Sequence, residues 1–373
     1  MKIVVIGGGV AGLAIGWRLA SSGCNVELYE RGLAGRASSW AAAGMLAATA
    51  ETQMHDNSHA RLAHAGRSAW SQFAVELEQI SRVDLGYREC GSLILALTQK
   101  RANELQATVA ALSSRGENVI WYSKEEVCQI EPLLCTTNNG ALCAQEDSQV
   151  DNRQLSAALT RAFVIAGGAL REQCDVSSIE VKSGRITGVT LNGNHVSADK
   201  VVIAAGAWSS TISGLEDGIL PPVVPAKGQM AALIPPDGVR MPSHLIWSEK
   251  IVYFVPRTES LLIGATVEDV GFETSVTRDA IENLITRGSR IIPSLSSWQI
   301  VECWAGLRPR APDDFPVVGA TSVDGLFVAS GQYRNGILFA PIVADIIRDL
   351  ILEKETGQDF ECFNPNRFVK EKI

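Results

Sequence analysis

Met1-Lys2-Ile3-Val4-Val5-Ile6-Gly7-Gly8-Gly9-Val10-Ala11-Gly12 is an apolar run that breaks into closely spaced glycines and then into helical spacing. Residues 3–6 read as a central parallel strand, buried on both faces. Gly7 lets the chain turn, Gly9 removes a side chain where backbone must approach a pyrophosphate, and Gly12 lets the following helix, 10–22, pack closely on the strand. The N-terminal amides of that helix face the phosphates. Gly23 ends it, and a second apolar run, Val26-Glu27-Leu28-Tyr29, delivers Glu30 to a ribose hydroxyl pair. An acidic residue there disfavours a 2′-phosphate and so argues against NADP. Strand, fingerprint, helix, strand and acidic end in this order predict a bound dinucleotide.

The glycine motif does not decide between FAD and NAD. The stretch beyond Glu30 does: no second βα unit of ordinary length appears, and residues 31–45, RGLAGRASSWAAAGM, are mostly small. Small side chains are needed where backbone lies against a flat ring system, and their density suits a resident flavin better than a nicotinamide that must leave. A tightly packed small-residue helix is the alternative.

The bulk composition sets the frame. With 373 residues, 46% of them hydrophobic, the chain has material for two domains with substantial cores. A net charge of -8, with no long basic run, speaks against nucleic acid as a partner. The cysteines, at 24, 90, 128, 135, 143, 174, 303 and 362, form no CxxC pair. His55, His59, His64, His195 and His244 make no zinc-like grouping with them, so no metal site is expected. No apolar stretch approaches the roughly eighteen residues of a membrane span, which predicts a soluble, cytoplasmic protein. The small apolar residues 40–50 leave a peripheral membrane contact open.

Farther along, residues 58–82 carry helical spacing, with Leu62, Ala65, Ala69, Phe73, Leu77 and Ile80 on one stripe. A strand at 91–97 and a helix at 101–115 come next. The segment 131–147 reads as irregular, returning the chain to the first domain. A helix at 154–166 leads into an antiparallel meander, 176–181, 185–191 and a short strand near Val196, with tight turns at Ser183-Gly184 and Asn192-Gly193. The buried strand after it ends Ala204-Ala205-Gly206-Ala207-Trp208. Strands 251–255 and 261–264 begin a second sheet, and a helix at 277–289 succeeds them. A last apolar strand, 325–331, runs through the loop Gln332-Tyr333-Arg334-Asn335-Gly336 into a helix ending near residue 353. That helix's N-terminus could stabilise negative charge on a reduced flavin.

Four segments carry a family resemblance: 7–19, GGGVAGLAIGWRL; 37–45, ASSWAAAGM; 304–319, WAGLRPRAPDDFPVVG; and 333–341, YRNGILFAP. Across nearly its whole length the chain resembles the D-amino-acid oxidase and sarcosine oxidase superfamily, and within it the glycine oxidases of thiamine biosynthesis. The resemblance implies an α/β fold in which a Rossmann-like FAD-binding domain (1–85, 148–215, 305–373) is interleaved with an α+β substrate domain on an antiparallel sheet (86–147, 216–304). It implies FAD contacts from Gly7, Gly9, Val10, Ala11, Gly12, Glu30 and Arg31; from Ser38, Ser39, Ala43, Gly44 and Met45; from Val176, Ala205, Gly206 and Trp208; and from Arg334, Asn335, Gly336 and Ile337. Arg308 would hold the substrate carboxylate with help from Tyr253, and Arg334 would lie on the same side of the flavin.

Residue chemistry gives partial support of its own. Arg308 precedes Pro309 and is biased to extended backbone, and its fork fits a carboxylate bidentately; an interdomain salt bridge is the alternative. Arg310 would share its face or serve a surface pair. Tyr253 alternates with Ile251 and Val255, so its hydroxyl meets either substrate or a core partner. Arg334, just before a helix N-terminus, needs an anionic neighbour. Arg257 reads as surface or strand edge.

The implied reaction passes a hydride equivalent from the α-carbon of a small amino acid to the flavin. Hydrolysis of the imino acid and reoxidation by molecular oxygen would then give keto acid, ammonia or amine, and peroxide. No histidine or cysteine matches a covalent attachment point near Arg308, Cys303 pointing elsewhere, so noncovalent FAD is expected. The family further implies a homo-oligomer, a tetramer by analogy. A D-amino-acid or secondary-amine dehydrogenase that reduces a quinone, with residues 41–46 as a membrane-facing patch, competes with the oxidase. A flavin-binding structural subunit is a third reading.

Overall fold

A computed structural model describes residues 1–52, 58–134, 138–248, 252–356 and 360–368; His55, Cys135 and Ile251 lie outside the described residues. A six-stranded sheet runs in the order Val317–Ala320, Leu326–Ser330, Lys200–Ile203, Lys2–Ile6, Asn25–Tyr29, Ala169–Arg171. Only the edge strand Val317–Ala320 is antiparallel to its neighbour. The first strand is central and covered on both faces. Ile3 and Val5 pack with the helices Val10–Ser21, Ser58–Ser81, Asn152–Ile165 and Ala340–Ile351, whereas Val4 and Ile6 meet Ile179, Ile186 and Val189 of the meander. The meander strands Val176–Lys182, Arg185–Leu191 and Asn194–Ser197 are joined by turns with positive φ at both central residues, Ser183-Gly184 and Asn192-Gly193. That is the mirror-image turn whose twist matches two antiparallel strands.

An eight-stranded sheet forms the second layer, in the order Gln299–Arg310, Val224–Ile234, Leu261–Gly264, Val252–Pro256, Leu245–Ser248, Ser92–Leu95, Ala141–Ala144, Val119–Tyr122. It is antiparallel except where Leu245–Ser248 runs parallel to Ser92–Leu95. These two strands come from distant stretches of chain, so no hairpin dictates their relative direction. The architecture is α/β, a Rossmann-like sheet interleaved along the chain with an α+β unit.

Several expectations change. Segment 131–147 is not irregular throughout: Ala141–Ala144 is an inner strand, paired on both sides. Its Ala-Leu-Cys-Ala sequence carries little strand propensity, and pairing on both edges overrides it. The helix Ser58–Ser81 buries Leu62, Gly66, Trp70, Phe73 and Leu77, while Ala65 and Ala69 are half-buried and Ile80 is 38% exposed. The stripe keeps to steps of four and three around Trp70, whose indole N–H donates to the Leu338 carbonyl (3.0 Å). Of residues 41–46, Ala41, Ala43, Gly44 and Leu46 are buried, Ala42 and Met45 are half-buried, and Met45 lines a cavity. Among the described residues no helix is long and apolar enough to cross a membrane.

The strand Gln299–Arg310 passes unbroken through the expected boundary at 304/305 and stays paired with Val224–Ile234 to its end. It also touches the other layer. Arg153 at the start of helix Asn152–Ile165 forms a two-pronged ion pair with Glu302 (2.9 and 3.0 Å) and stacks 3.7 Å over the Trp40 ring. Partly exposed, this staple contributes modestly. Arg153→Ala is expected to lower stability by about 1 kcal/mol, a fall of roughly 2 °C in Tm. An unchanged melting midpoint would count against it.

Candidate active site

Between the two sheets lies a cavity of about 1080 Å³. Every residue expected at the site lines it except Gly12. Gly12 works one layer back: a Cβ there would stand 1.9 Å from the Gly7 carbonyl oxygen, so glycine is what lets the helix touch the turn. Gly7 has φ +106°, and a Cβ on it would lie 2.5 Å from the Ala204 carbonyl. Gly9 differs, since a Cβ would meet only Ser39 Oγ, at 3.3 Å, beside the cavity. Val10 N–H donates to Ser39 Oγ (2.8 Å), and Val10 and Ala11 line the wall.

The Glu30 carboxylate is clamped by backbone: Oε2 accepts from Gly8 N (2.7 Å) and Oε1 from Gly32 N (2.8 Å). Each oxygen keeps another lone pair for a ligand hydroxyl. At the same end lie Val176, Ala205, Gly206 and Trp208, with the Arg31 guanidinium 3.6 Å over the Trp208 ring.

The small residues 38–45 are fixed on several sides. Ser38 Oγ donates to the Leu307 carbonyl, and Trp304 Nε1 to the Ala41 carbonyl (3.0 Å). A Cβ on Gly306 would sit 2.4 Å from Ala41 Cβ. One on Gly44 (φ +67°) would sit 2.0 Å from the Val150 carbonyl. Protein-on-protein packing therefore accounts for smallness at Ala41 and Gly44, while Ala43, Gly44 and Met45 still face the cavity. Arg257 is not a surface residue: its guanidinium is buried against this loop, donating to the Ala43 carbonyl (2.8 Å).

At the opposite end, Arg308 and Tyr253 meet. Arg308 Nη1 donates to the Thr266 carbonyl (3.1 Å), and among the described residues Arg308 has no ion-pair partner. Arg310 instead takes the surface pair, with Asp314 (2.7 Å). The Tyr253 hydroxyl donates weakly to Met230 Sδ (3.6 Å), and its ring tilts against Trp247 (5.6 Å between centroids). Burial raises the Tyr253 pKa, opposed by the charges of Arg308 and Arg334. Two glycines escaped sequence reasoning: a Cβ on Gly228 would lie 2.1 Å from Arg308 Nη1, and one on Gly264 would lie 2.5 Å from the Tyr253 ring. A glycine inside an apolar strand signals such close approach.

The helix after the RNG loop begins at Ala340, later than expected, and hydrogen-bonded turns over 335–339 lead into it. Arg334 finds its anionic neighbour in Glu51 (3.3 Å), whose charge raises the Arg334 pKa. Glu51 rides on the short helix Ala48–Thr52, where buried Asp147 accepts from Thr49 N (3.0 Å) and Ala50 N (3.1 Å). Burial pushes the Asp147 carboxyl up to about 6. Asn335, Gly336 and Ile337 complete the wall. Gln332 Nε2 and Trp247 Nε1, both on cavity residues, are buried donors without a partner among the described residues. Such orphaned donors fit a site built around a polar ligand. Among the described residues no His, Cys, Asp and Glu side chains converge on a metal-binding group.

The chain is 35% identical to the bifunctional protein ThiO/ThiG of Nostoc sp. over 372 residues, covering 99% of this chain and 55% of that protein. It thus spans about half the length of that relative. Glycine oxidase of Geobacillus kaustophilus is 34% identical, with 98% and 97% covered. The crystal structure of the enzyme from that organism superposes with a TM-score of 0.91 at 33% identity, covering 100% of this chain and 99% of that one. The profile of the FAD dependent oxidoreductase family called DAO matches residues 2–350, and the chain belongs to that family.

Proposed function

We propose that the chain is an FAD-dependent oxidase of glycine and other small amino acids, sarcosine and small D-amino acids included. The observation that carries this reading is Arg308: a guanidinium lining the cavity, without an ion-pair partner among the described residues, beside the half-buried Tyr253. A bare guanidinium fork in a partly dry site is matched by a carboxylate.

The residues fit FAD. Gly9 leaves room at the helix N-terminus, Glu30 stands at the ribose end, and Gln332 offers an unengaged amide N–H. Cys303 packs with the apolar cluster of the second sheet and does not line the cavity, in keeping with noncovalent attachment. Bound there, FAD supplies an acceptor for the hydride equivalent and returns the electrons to oxygen as peroxide. Arg308 holds the substrate carboxylate, Tyr253 adds a hydrogen bond, and Met230 and Trp247 wall the pocket toward small side chains. Arg334, held by its ion pair with Glu51, adds a guanidinium to the wall on the Tyr253 side. Orientation and a neutralised carboxylate do most of the work, so no acid–base dyad is required.

The same reading includes a role in supplying thiamine thiazole synthesis, FAD-binding segments 1–85, 148–215 and 305–373 around substrate segments 86–147 and 216–304, a cytoplasmic location and a homotetramer. Anaerobic bleaching of the flavin by glycine, sarcosine, D-alanine and D-proline tests the substrate class, and stoichiometric peroxide in air tests the acceptor. Bleaching by none of the four, or reduction of quinone analogues without peroxide, would overturn the oxidase reading.

A further inference from the structure

Arg257 lies in the turn after strand Val252–Pro256, four residues beyond Tyr253, and its N–H closes that hairpin on the Ser260 carbonyl (2.8 Å). Its side chain leaves the second sheet altogether. Nη1 donates to Gln149 Oε1 (2.7 Å), and Nη2 donates to the Ala43 carbonyl (2.8 Å) and to Asn152 Oδ1 (3.2 Å). Asn152 passes the connection on, its Nδ2 donating to the carbonyls of Ser39 (2.9 Å) and Trp40 (2.8 Å). Ser39 Oγ in turn accepts from Val10 N at the helix that opens the nucleotide wall. One continuous path of hydrogen bonds therefore joins the hairpin presenting Tyr253 to the loop lining the cofactor half.

The chemistry of the fork explains why arginine stands here. Its acceptors are neutral and point in different directions, and among the described residues it forms no ion pair. A lysine ammonium, a point charge on one stem, cannot span a side-chain amide and a backbone carbonyl on the far side of the loop with the same geometry. Burial with no paired anion lowers the Arg257 pKa to about 10, so the cation is retained at neutral pH. Gly44 shows how tightly the loop is seated, since a Cβ there would lie 2.9 Å from Arg257 Nη2.

We propose that Arg257, with Asn152, is a positioning residue that holds the loop 39–44 in its cofactor-facing shape and sets Tyr253 in register with it. The proposal rests on the FAD reading above and is independent of which amino acid is oxidised. Its test monitors FAD release from diluted holoenzyme by the rise in flavin fluorescence, together with steady-state kinetics on glycine. Arg257→Lys is expected to weaken FAD retention about ten-fold, and Asn152→Ala by a comparable factor. Because the two side chains are joined by a hydrogen bond and grip one loop, the double variant should lose less than the product of the two single losses. In each, kcat should fall by a larger factor than KM rises, since Arg308 is untouched and only the Tyr253 contact to the substrate is disturbed.

FAD retention equal to wild type in Arg257→Lys, or a double variant whose loss is the full product of the two single losses, overturns the proposal. If Arg257→Lys does not fold, Asn152→Ala carries the same test, and unchanged FAD release there overturns it. Wild-type protein that holds FAD but leaves glycine untouched, with the variants still releasing FAD faster, would sink the substrate reading and leave this one standing.

Discussion

Arg308→Ala should lower kcat/KM for glycine about a hundred- to a thousand-fold while the protein stays yellow. Removing one member of a buried, hydrogen-bonded charge pair costs about 2 to 5 kcal/mol, and each 1.4 kcal/mol is a factor of ten. The loss should divide between KM and kcat, because the carboxylate contact both binds the substrate and orients its α-carbon. FAD should be retained, since Arg308 projects from the second sheet over Gly228, and among the described residues its guanidinium hydrogen-bonds to the Thr266 carbonyl on that same sheet's side of the cavity. Arg308→Lys keeps the charge but not the fork and should recover only part of the loss. A fall of less than about five-fold in Arg308→Ala would remove the carboxylate role; loss of the flavin would show the residue to be structural.

The second large effect separates two glycines of one motif. Gly12→Ala places a methyl 1.9 Å from the Gly7 carbonyl oxygen and 3.3 Å from Ala204 Cβ. Backbone must move to admit it, pushing the helix Val10–Ser21 off the strand Lys2–Ile6. Overpacking of this kind costs about 1 to 3 kcal/mol or more, and FAD binding should fall with the folded fraction. Gly9→Ala meets only Ser39 Oγ, at 3.3 Å, and φ is negative there (-75°), so the apoprotein should melt close to wild type while FAD binds more weakly. Apoprotein Tm and FAD affinity, measured for both variants, decide the matter. Equal destabilisation in the two would remove the distinction between a packing glycine and a cradle glycine.

Local chemistry made the nucleotide unit legible. Its glycines, the acidic strand end at Glu30 and the two meander turns are properties of a few adjacent residues, and each stands where the spacing puts it. Arg308 and Tyr253 were reached through family segments rather than through periodicity. What stayed hidden depends on partners far away in the chain. Glu51 has no local signature, because its meaning is Arg334, which the fold alone brings to 3.3 Å. Arg257 reads as a strand-end cation until Ala43, Gln149 and Asn152 are set around it. Ala141–Ala144 is a strand through its two neighbours and not through its own side chains. In the 304–319 segment, the proline-rich texture concealed that Arg308 lies two residues before the end of a long edge strand of the second sheet.

The order of strands in the six-stranded sheet also bears on how the chain reaches its native state. Lys2–Ile6 has Asn25–Tyr29 on one side within moments of synthesis, but its other neighbour is Lys200–Ile203, and that strand waits in turn for Leu326–Ser330. At roughly 5 to 20 residues per second, a ribosome needs about ten to forty seconds to travel from Ile6 to Lys200. Until then the apolar edge of the first βαβ pair is open to any strand that comes by, and the many long-range pairings make the final step slow. Yield of active protein in a cell should therefore depend on chaperones that shield that edge during translation.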